Sequence, residues 1–95
     1  MNIRYHEDDE TGSPHIYRHG ITEKEVEEIL RRPGDDRGVR EGTRMAFGRT
    51  RSGRYLKVIY VPDPDGPGIF VVTAYPLTGK LLAAYRRRKR KRHGR

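Results

Sequence analysis

The feature that most constrains the fold is a series of three β-prone runs in the middle of the chain, at residues 45–51, 55–61 and 69–75. Val, Ile, Tyr and Phe fill the second and third runs almost without interruption, as in strands covered on both faces at the centre of a sheet. A Ser-Gly pair at residues 52–53 predicts a two-residue hairpin turn between the first two runs. Residues 62–68 are too rich in proline for a strand or a helix, so they predict a loop. The rest of the chain must cover this sheet or use it.

Two helices are predicted, one before and one after these runs. Thr22 is an N-cap residue, and Glu25 completes a capping box that begins a helix over residues 22–32. Pro33 directly after this segment ends the helix. Apolar residues at helical spacing predict a second helix over about residues 80–88, after which charge repulsion is expected to fray it.

Short connections between the strands favour antiparallel pairing. The chain is therefore predicted to be α+β, with a three- to four-stranded antiparallel sheet on which an N-terminal and a C-terminal helix pack. The α+β domain spans residues 15–85, between a polar arm at residues 1–14 and a basic tail at residues 86–95. An edge strand in the arm is possible, but a loosely docked arm is favoured. Residues 35–42 are predicted to be a polar loop.

Positive charge is concentrated at the C-terminus. The chain has 21 Lys and Arg against 13 Asp and Glu, and eight of the basic residues lie in the last ten positions. Dense Arg and Lys neutralise phosphates and release counterions, so the tail predicts affinity for nucleic acid. A solvated terminus and an anionic membrane surface are the alternatives. The candidate RNA-binding residues are Tyr85, Arg86, Arg87, Arg88, Lys89 and Arg90.

Several classes of protein are disfavoured by what the chain lacks. It has no cysteine, and therefore no disulfide framework and no thiolate metal site. No apolar run reaches the length of a membrane span and no signal-peptide core is present, so a cytoplasmic protein without a membrane partner is expected. His15 and His19 are four residues apart but precede the helix without a third ligand, so no metal and no cofactor are expected. The sequence makes no prediction of the oligomeric state.

Lys57 interrupts the second apolar run, and Thr73 interrupts the third. With a two-residue loop at residues 52–53, Phe47 lies opposite Val58 on a core face and Lys57 lies on the other face. A buried charge needs a partner or an opening to solvent. Lys57 is interpreted either as a side chain that reaches solvent at the sheet edge or as a phosphate-binding cation in a concave site. A loop one residue longer would move Lys57 to the opposite face.

A set of short motifs follows in order along the chain. These are His-Gly-Ile-Thr at residues 19–22, an acidic helix ending at Pro33, Arg44, Gly-Arg-Thr at 48–50, Ser-Gly-Arg at 52–54, Leu-Lys-Val-Ile-Tyr at 56–60 and Val-Thr-Ala-Tyr at 72–75. In this pattern, over about residues 15–88, the chain resembles the BrnT-like toxins of bacterial toxin–antitoxin modules and the small domains related to them. The resemblance implies a RelE-type fold and a ribonuclease that a cognate antitoxin protein silences.

The resemblance also implies roles for individual residues. His19 matches the histidine before the first long helix, and Arg49 matches the arginine after the glycine of the first strand. Thr73 lies where the family has Ser or Thr on the last strand, whereas Tyr75 stands where the family typically has arginine. RNA cleavage through the 2′-hydroxyl needs a base, an acid and cations, but no metal. The candidate catalytic residues are His19, Arg49, Lys57, Thr73 and Tyr75.

Within this mechanism, His19 is interpreted as the general base or acid, and Arg49 and Lys57 as residues that stabilise the phosphate. Tyr75 or Tyr85 is a candidate for donating a proton or stacking on a base. The leading hypothesis is a toxin-like, metal-independent endoribonuclease of a type II toxin–antitoxin module, with RNA and a cognate antitoxin as partners. The alternatives are a non-catalytic RNA- or DNA-binding module and a protein-interaction domain that offers a sheet edge.

Overall fold

The structure, a computed structural model, describes residues 2–93, with side chains to residue 90. Two α-helices, one 3₁₀ helix and five strands form an α+β fold, as predicted. In chain order they are β1 (Ile3–Tyr5), the 3₁₀ helix (His15–His19), α1 (Glu23–Arg31), β2 (Asp35–Arg40), β3 (Thr43–Arg49), β4 (Tyr55–Pro62), β5 (Ile69–Pro76) and α2 (Gly79–His93). Neither α-helix within residues 2–93 is long and apolar enough to cross a membrane.

The strands form one mixed sheet in the order β1-β5-β4-β3-β2. β1 runs parallel to β5, and the other neighbours are antiparallel. The predicted sheet of three to four antiparallel strands is therefore too small and lacks the parallel pair. The prediction of a loop at residues 35–42 is wrong, because β2 forms there. Glu41 and Gly42, which both have positive φ, make the turn from β2 to β3. This edge strand is exposed along most of its length, so it carries no apolar pattern.

The N-terminal arm is docked on the sheet instead of loosely attached. The Ile69 amide donates to the Asn2 carbonyl oxygen at 2.9 Å, and the His6 amide donates to the Val71 carbonyl oxygen at 2.9 Å. The Arg4 guanidinium also binds the carboxylate of Asp63 at 2.6 Å. β1 is therefore held as an edge strand beside β5.

One face of the sheet, termed the α1 face, is covered by α1 and the 3₁₀ helix. The predicted capping box is confirmed, since the Glu25 amide donates to Thr22 Oγ1 at 3.2 Å and the Thr22 amide donates to a Glu25 carboxylate oxygen at 3.0 Å. The helix then turns an aliphatic stripe toward the sheet, where these side chains lose nearly all contact with water. The buried core residues on this side include Ile16, Ile21, Val26, Ile29, Ala46, Leu56, Val58, Val71 and Ala74.

The hairpin between β3 and β4 differs by one residue from the prediction. Phe47 pairs with Lys57, not with Val58. The loop closes through hydrogen bonds between Thr50 and Arg54, which leaves three residues in it, and Gly53 has a φ of 99°. Three-residue hairpins place glycine at this left-handed position. The extra loop residue moves Lys57 onto the same sheet face as Phe47, so its predicted face was wrong.

The opposite face of the sheet, termed the α2 face, is only partly covered by α2. Leu77 and Tyr85 pack against Phe47 in a second, smaller apolar cluster. α2 continues to His93, beyond the predicted end at about residue 88. Basic side chains of the helix lie over aromatic rings, as with Arg86 over Tyr55, and these contacts offset part of the charge repulsion that was expected to fray the helix.

Candidate active site and cationic groove

The strand register brings the central polar residues of the sheet together on the α2 face. Lys57 on β4 lies between Phe47 on β3 and Tyr75 on β5. Directly opposed residues share a face, so these three side chains stand side by side. The α2 helix covers the Phe47 end, and the Tyr75 end lies beside the 3₁₀ helix.

His19, Tyr75 and Lys57 form a continuous row of contacts. The His19 ring centroid lies 5.0 Å from that of Tyr75, with the ring planes at 77°. Lys57 Nζ lies 5.2 Å from the centroid of the same tyrosine ring. Buried Ile16 anchors the 3₁₀ helix, and Gly20 ends it with a φ of 71°, so the backbone fixes the position of His19. An imidazole and an ammonium group thus meet at one phenol ring on a partly exposed surface.

The other two candidate catalytic residues do not take part in this row of contacts. Thr73 precedes Tyr75 by two positions on β5, but it is only 8% exposed and its Oγ1 is buried without a hydrogen-bond partner among the described residues. Arg49 is a diagonal neighbour of Lys57 in the β3–β4 register, and its guanidinium carbon lies 5.7 Å from the Tyr55 ring centroid. The structure therefore places Arg49 beside the row and keeps the Thr73 hydroxyl away from solvent.

A groove of about 630 Å³ opens between α2, the end of α1 and the β3–β4 hairpin. Its lining has five cations and no carboxylate, so its electrostatic potential is positive. The lining residues are Arg32, Gly34, Arg49, Tyr55, Tyr85, Arg86, Lys89 and Arg90.

Aromatic rings, and not carboxylates, hold two of the groove's guanidinium groups. Arg49 and Arg86 both contact the ring of Tyr55, the latter at 4.9 Å from the centroid. Neither takes part in an ion pair among the described side chains. Arg54 differs, since it binds Glu25 at 2.9 Å. A ring contact positions a cation without neutralising it, so the charge stays available for a phosphate.

The candidate RNA-binding residues of α2 divide between two environments. Tyr85 is 3% exposed, stacks on Phe47 at 5.9 Å, and holds its hydroxyl where a Cβ on Gly34 would stand, so the ring supports the groove floor and offers no free face to a base. Arg88 lies over the Phe47 ring with its Nε buried. Arg87 is exposed outside the groove lining. Arg86, Lys89 and Arg90 line the groove.

Two further histidine rings lie on the side of His19 away from Tyr75. The His15 ring lies 5.3 Å from that of His19 and 5.8 Å from that of His6. Asp8 binds His15 Nδ1 at 2.8 Å, and this contact, together with Arg18, lowers the pKa of the Asp8 carboxyl. Within residues 2–93 no group of three or more His, Cys, Asp or Glu side chains is arranged to hold a metal ion.

Sequence reasoning missed three residues of this region. Tyr55 was not singled out, although its pairing with Arg49 across the hairpin was a detectable signal once the register was known. His15 was considered only as one half of a metal pair. Asp8 was treated only as part of the polar arm at residues 1–14, and nothing in the local sequence indicates that it faces a histidine seven residues later.

No protein-family model matches this chain, and no significant similarity is found to a curated protein or to a solved structure.

Proposed function

We propose that this chain is a metal-independent endoribonuclease of a type II toxin–antitoxin module, similar to the BrnT-like toxins of RelE-type fold. The observation that carries the proposal is the row of His19, Tyr75 and Lys57 beside a groove whose charged lining residues are all cations. The row supplies a general acid–base group and a positive charge, two of the groups that cleavage through a ribose 2′-hydroxyl requires.

In this mechanism His19 takes the proton from the 2′-hydroxyl, and the oxygen attacks the adjacent phosphorus. Lys57 stabilises the extra negative charge that develops on the phosphoryl oxygens. Tyr75 contacts both groups through its ring, so it holds the imidazole and the ammonium in one arrangement. Thr73, buried on the strand behind Tyr75, fixes that part of β5 and does not contact the RNA.

The groove supplies the binding part of the proposal. Arg49 and Arg86 carry uncompensated charge at its wall, and Arg49 is diagonal to Lys57 on the same sheet face. An RNA backbone that follows the groove therefore leads toward the row. Because its affinity comes mainly from phosphate contacts, binding weakens steeply as salt increases.

The proposed partner that silences the enzyme is an antitoxin protein in the same cytoplasm. An acidic segment of such a partner competes with RNA for the cations of the groove. Its association is steered by charge and slows as the salt concentration rises.

The second candidate function is a non-catalytic RNA- or DNA-binding module. It is favoured by the groove itself, whose cations on α2 and β3 bind a nucleic-acid backbone without any contribution from His19. The two functions differ in one prediction: replacing His19 abolishes the enzyme's activity but leaves the binding module intact.

An RNA-cleavage assay in EDTA tests the proposal. The wild-type protein is compared with His19→Ala and with Tyr17→Phe, a control on the exposed side of the same 3₁₀ helix. We expect cleavage in EDTA that is lost in His19→Ala and retained in Tyr17→Phe. Salt-sensitive RNA binding without cleavage in all three proteins would instead establish the binding module.

A further inference from the structure

We infer that His15, oriented by Asp8, is the second acid–base group of this site and gives its proton to the 5′-oxygen that leaves the phosphorus. The inference rests on the proposed ribonuclease function, and it assigns the step that His19 alone does not account for. Cleavage needs a base at the 2′-oxygen and an acid at the 5′-oxygen at the same time.

The hydrogen bond with Asp8 occupies one ring nitrogen of His15 and leaves the other free of that contact. Asp8 Oδ1 lies 2.8 Å from His15 Nδ1, so the carboxylate accepts the Nδ1 proton and leaves Nε2 for transfer. The Asp8 side chain is 13% exposed and that of His15 is 29% exposed, which shields the contact while keeping the ring reachable.

The adjacent histidine has the opposite environment. No hydrogen bond or ion pair joins His19 to a carboxylate among the described side chains, and its ring meets that of Tyr75. The rings of His15 and His19 are 5.3 Å apart at 78°. Two imidazoles at this spacing, one paired with a carboxylate and one not, are suited to the acid and the base of a single phosphodiester.

Other charged and titratable side chains lie around the Asp8–His15 contact. Arg18 binds the same carboxylate at 2.6 Å through its second oxygen, and Glu10 lies 3.5 Å from Arg18. His6 contacts the His15 ring at 5.8 Å and has no carboxylate partner among the described residues. Asp8 is therefore the one described acidic side chain in contact with His15.

The step balances without a metal or a further reactant. His19 accepts the 2′-hydroxyl proton as the 2′-oxygen forms its bond to phosphorus. The bond between phosphorus and the 5′-oxygen breaks, and His15 Nε2 protonates that oxygen. The products are a 2′,3′-cyclic phosphate and a 5′-hydroxyl, and water restores both histidines to their starting protonation states.

A purely structural role for the Asp8–His15 contact would be to attach the arm to the 3₁₀ helix. The backbone also makes this attachment, because the His15 amide donates to the His6 carbonyl oxygen at 2.8 Å. The side-chain contact is therefore a second link between the arm and the helix.

The test changes one atom of the RNA. Once the cleaved bond has been mapped, the same oligonucleotide is made with sulfur in place of the bridging 5′-oxygen, because a thiolate leaves without being protonated. The His15→Asn variant is used because its side-chain amide still donates to Asp8 from the Nδ1 position but has no Nε2 proton to transfer. His6→Ala is the matched control, since His6 touches the same ring without a carboxylate.

We expect His15→Asn to lower kcat/KM on the natural RNA by about 10²–10⁴-fold and on the sulfur-containing RNA by less than about tenfold. Asp8→Asn shows the same dependence on the leaving atom with a smaller loss, whereas His19→Ala is impaired on both RNAs. His6→Ala stays within about twofold of the wild type on both. Thermal unfolding confirms that each variant is folded.

Equal losses on the two RNAs in folded His15→Asn, or no loss on either, would overturn the role of His15 while the ribonuclease function stands. A wild-type protein that cleaves neither RNA would remove the proposed function and this inference together.

Discussion

The two faces of the sheet are built from alternating residues of the same strands, and they differ in burial, in side-chain type and in charge. Leu56 is fully buried on the α1 face, and Lys57, the next residue of β4, lies on the α2 face between Phe47 and Tyr75. The α1 face is closed by aliphatic packing under a well-capped helix. The α2 face carries cations that rest on aromatic rings beside a groove without carboxylates.

The α1 face therefore mainly stabilises the fold, and the α2 face presents charged side chains to a ligand. Aliphatic burial supplies most of the stability, at roughly 25 cal/mol per Å² of apolar surface removed from water. Cations such as Arg49, arranged around a ring, add little stability but keep their charge available. Substitutions of buried residues on the α1 face should therefore lower stability, whereas substitutions of cations on the α2 face should lower RNA binding with little change in stability.

The largest effect is expected from the matched pair Leu56→Ala and Lys57→Ala. Leu56→Ala leaves a cavity under α1 and lowers the free energy of unfolding by about 2–5 kcal/mol. Lys57→Ala removes a half-buried cation with an aromatic contact, so it changes stability by less than about 1 kcal/mol but abolishes cleavage. Urea denaturation and the cleavage assay measure the two effects separately. If Lys57→Ala lowers the free energy of unfolding as much as Leu56→Ala does, both faces contribute equally to stability and the proposed difference between them is wrong.

An intermediate effect is expected within the arginines. Arg49→Gln removes one uncompensated charge from the groove, so RNA affinity falls and the slope of log affinity against log salt decreases by about one unit. Arg54→Gln is the control, because Arg54 is already paired with Glu25 and bound to the Gly20 carbonyl oxygen. Its salt slope should equal that of the wild type. Equal changes in both variants would mean that net charge, not the groove, determines binding.

The smallest effect concerns pH and lies away from both faces. Hydrogen bonds from Arg4, and then from the Asp65 amide, lower the pKa of Asp63 to about 2 from an ordinary 3.8. The folded state therefore binds fewer protons than the unfolded state between these values. The contribution of this contact to stability is complete above about pH 4 and is lost as the pH falls toward 2.

Urea unfolding at a series of pH values checks this prediction. The free energy of unfolding of Asp63→Asn should fall less between pH 4 and 2 than that of the wild type. Asp65→Asn serves as the control, because its exposed carboxylate makes only a 3.2 Å contact with Arg4. Parallel curves for the wild type and Asp63→Asn would show that other carboxylates control acid unfolding.

Local signals predicted the fold where one segment determined its own structure. The capping box at Thr22 and the apolar runs of β4 and β5 are of this kind, and both helices and the α+β class were correct. The prediction failed where a partner strand outside the segment decides its structure. β2 is a strand because it pairs with β3. β1 is a strand because it pairs with β5, where Ile3 lies opposite Ile69, 66 positions later in the chain.

The candidate site shows the same limit more sharply. His19, Lys57 and Tyr75 were singled out from the sequence, and the structure brings them into contact. Whether Phe47 and Arg49 share the sheet face of Lys57 depended on whether the hairpin loop has two or three residues, because one extra residue shifts the register of β3 against β4. The Asp8–His15 contact depends on the docked arm, so no local pattern could reveal it.

The parallel pairing of β1 with β5 has a consequence for the order in which the protein becomes complete during synthesis. The first strand made cannot pair until the last strand has left the ribosome, and His19 from the early part of the chain meets Tyr75 only then. At about 5–20 residues per second, several seconds of elongation separate the two. The nascent chain therefore exposes His15 and His19 before Tyr75 is available, and the contact between His19 and Tyr75 forms only after β5 has emerged.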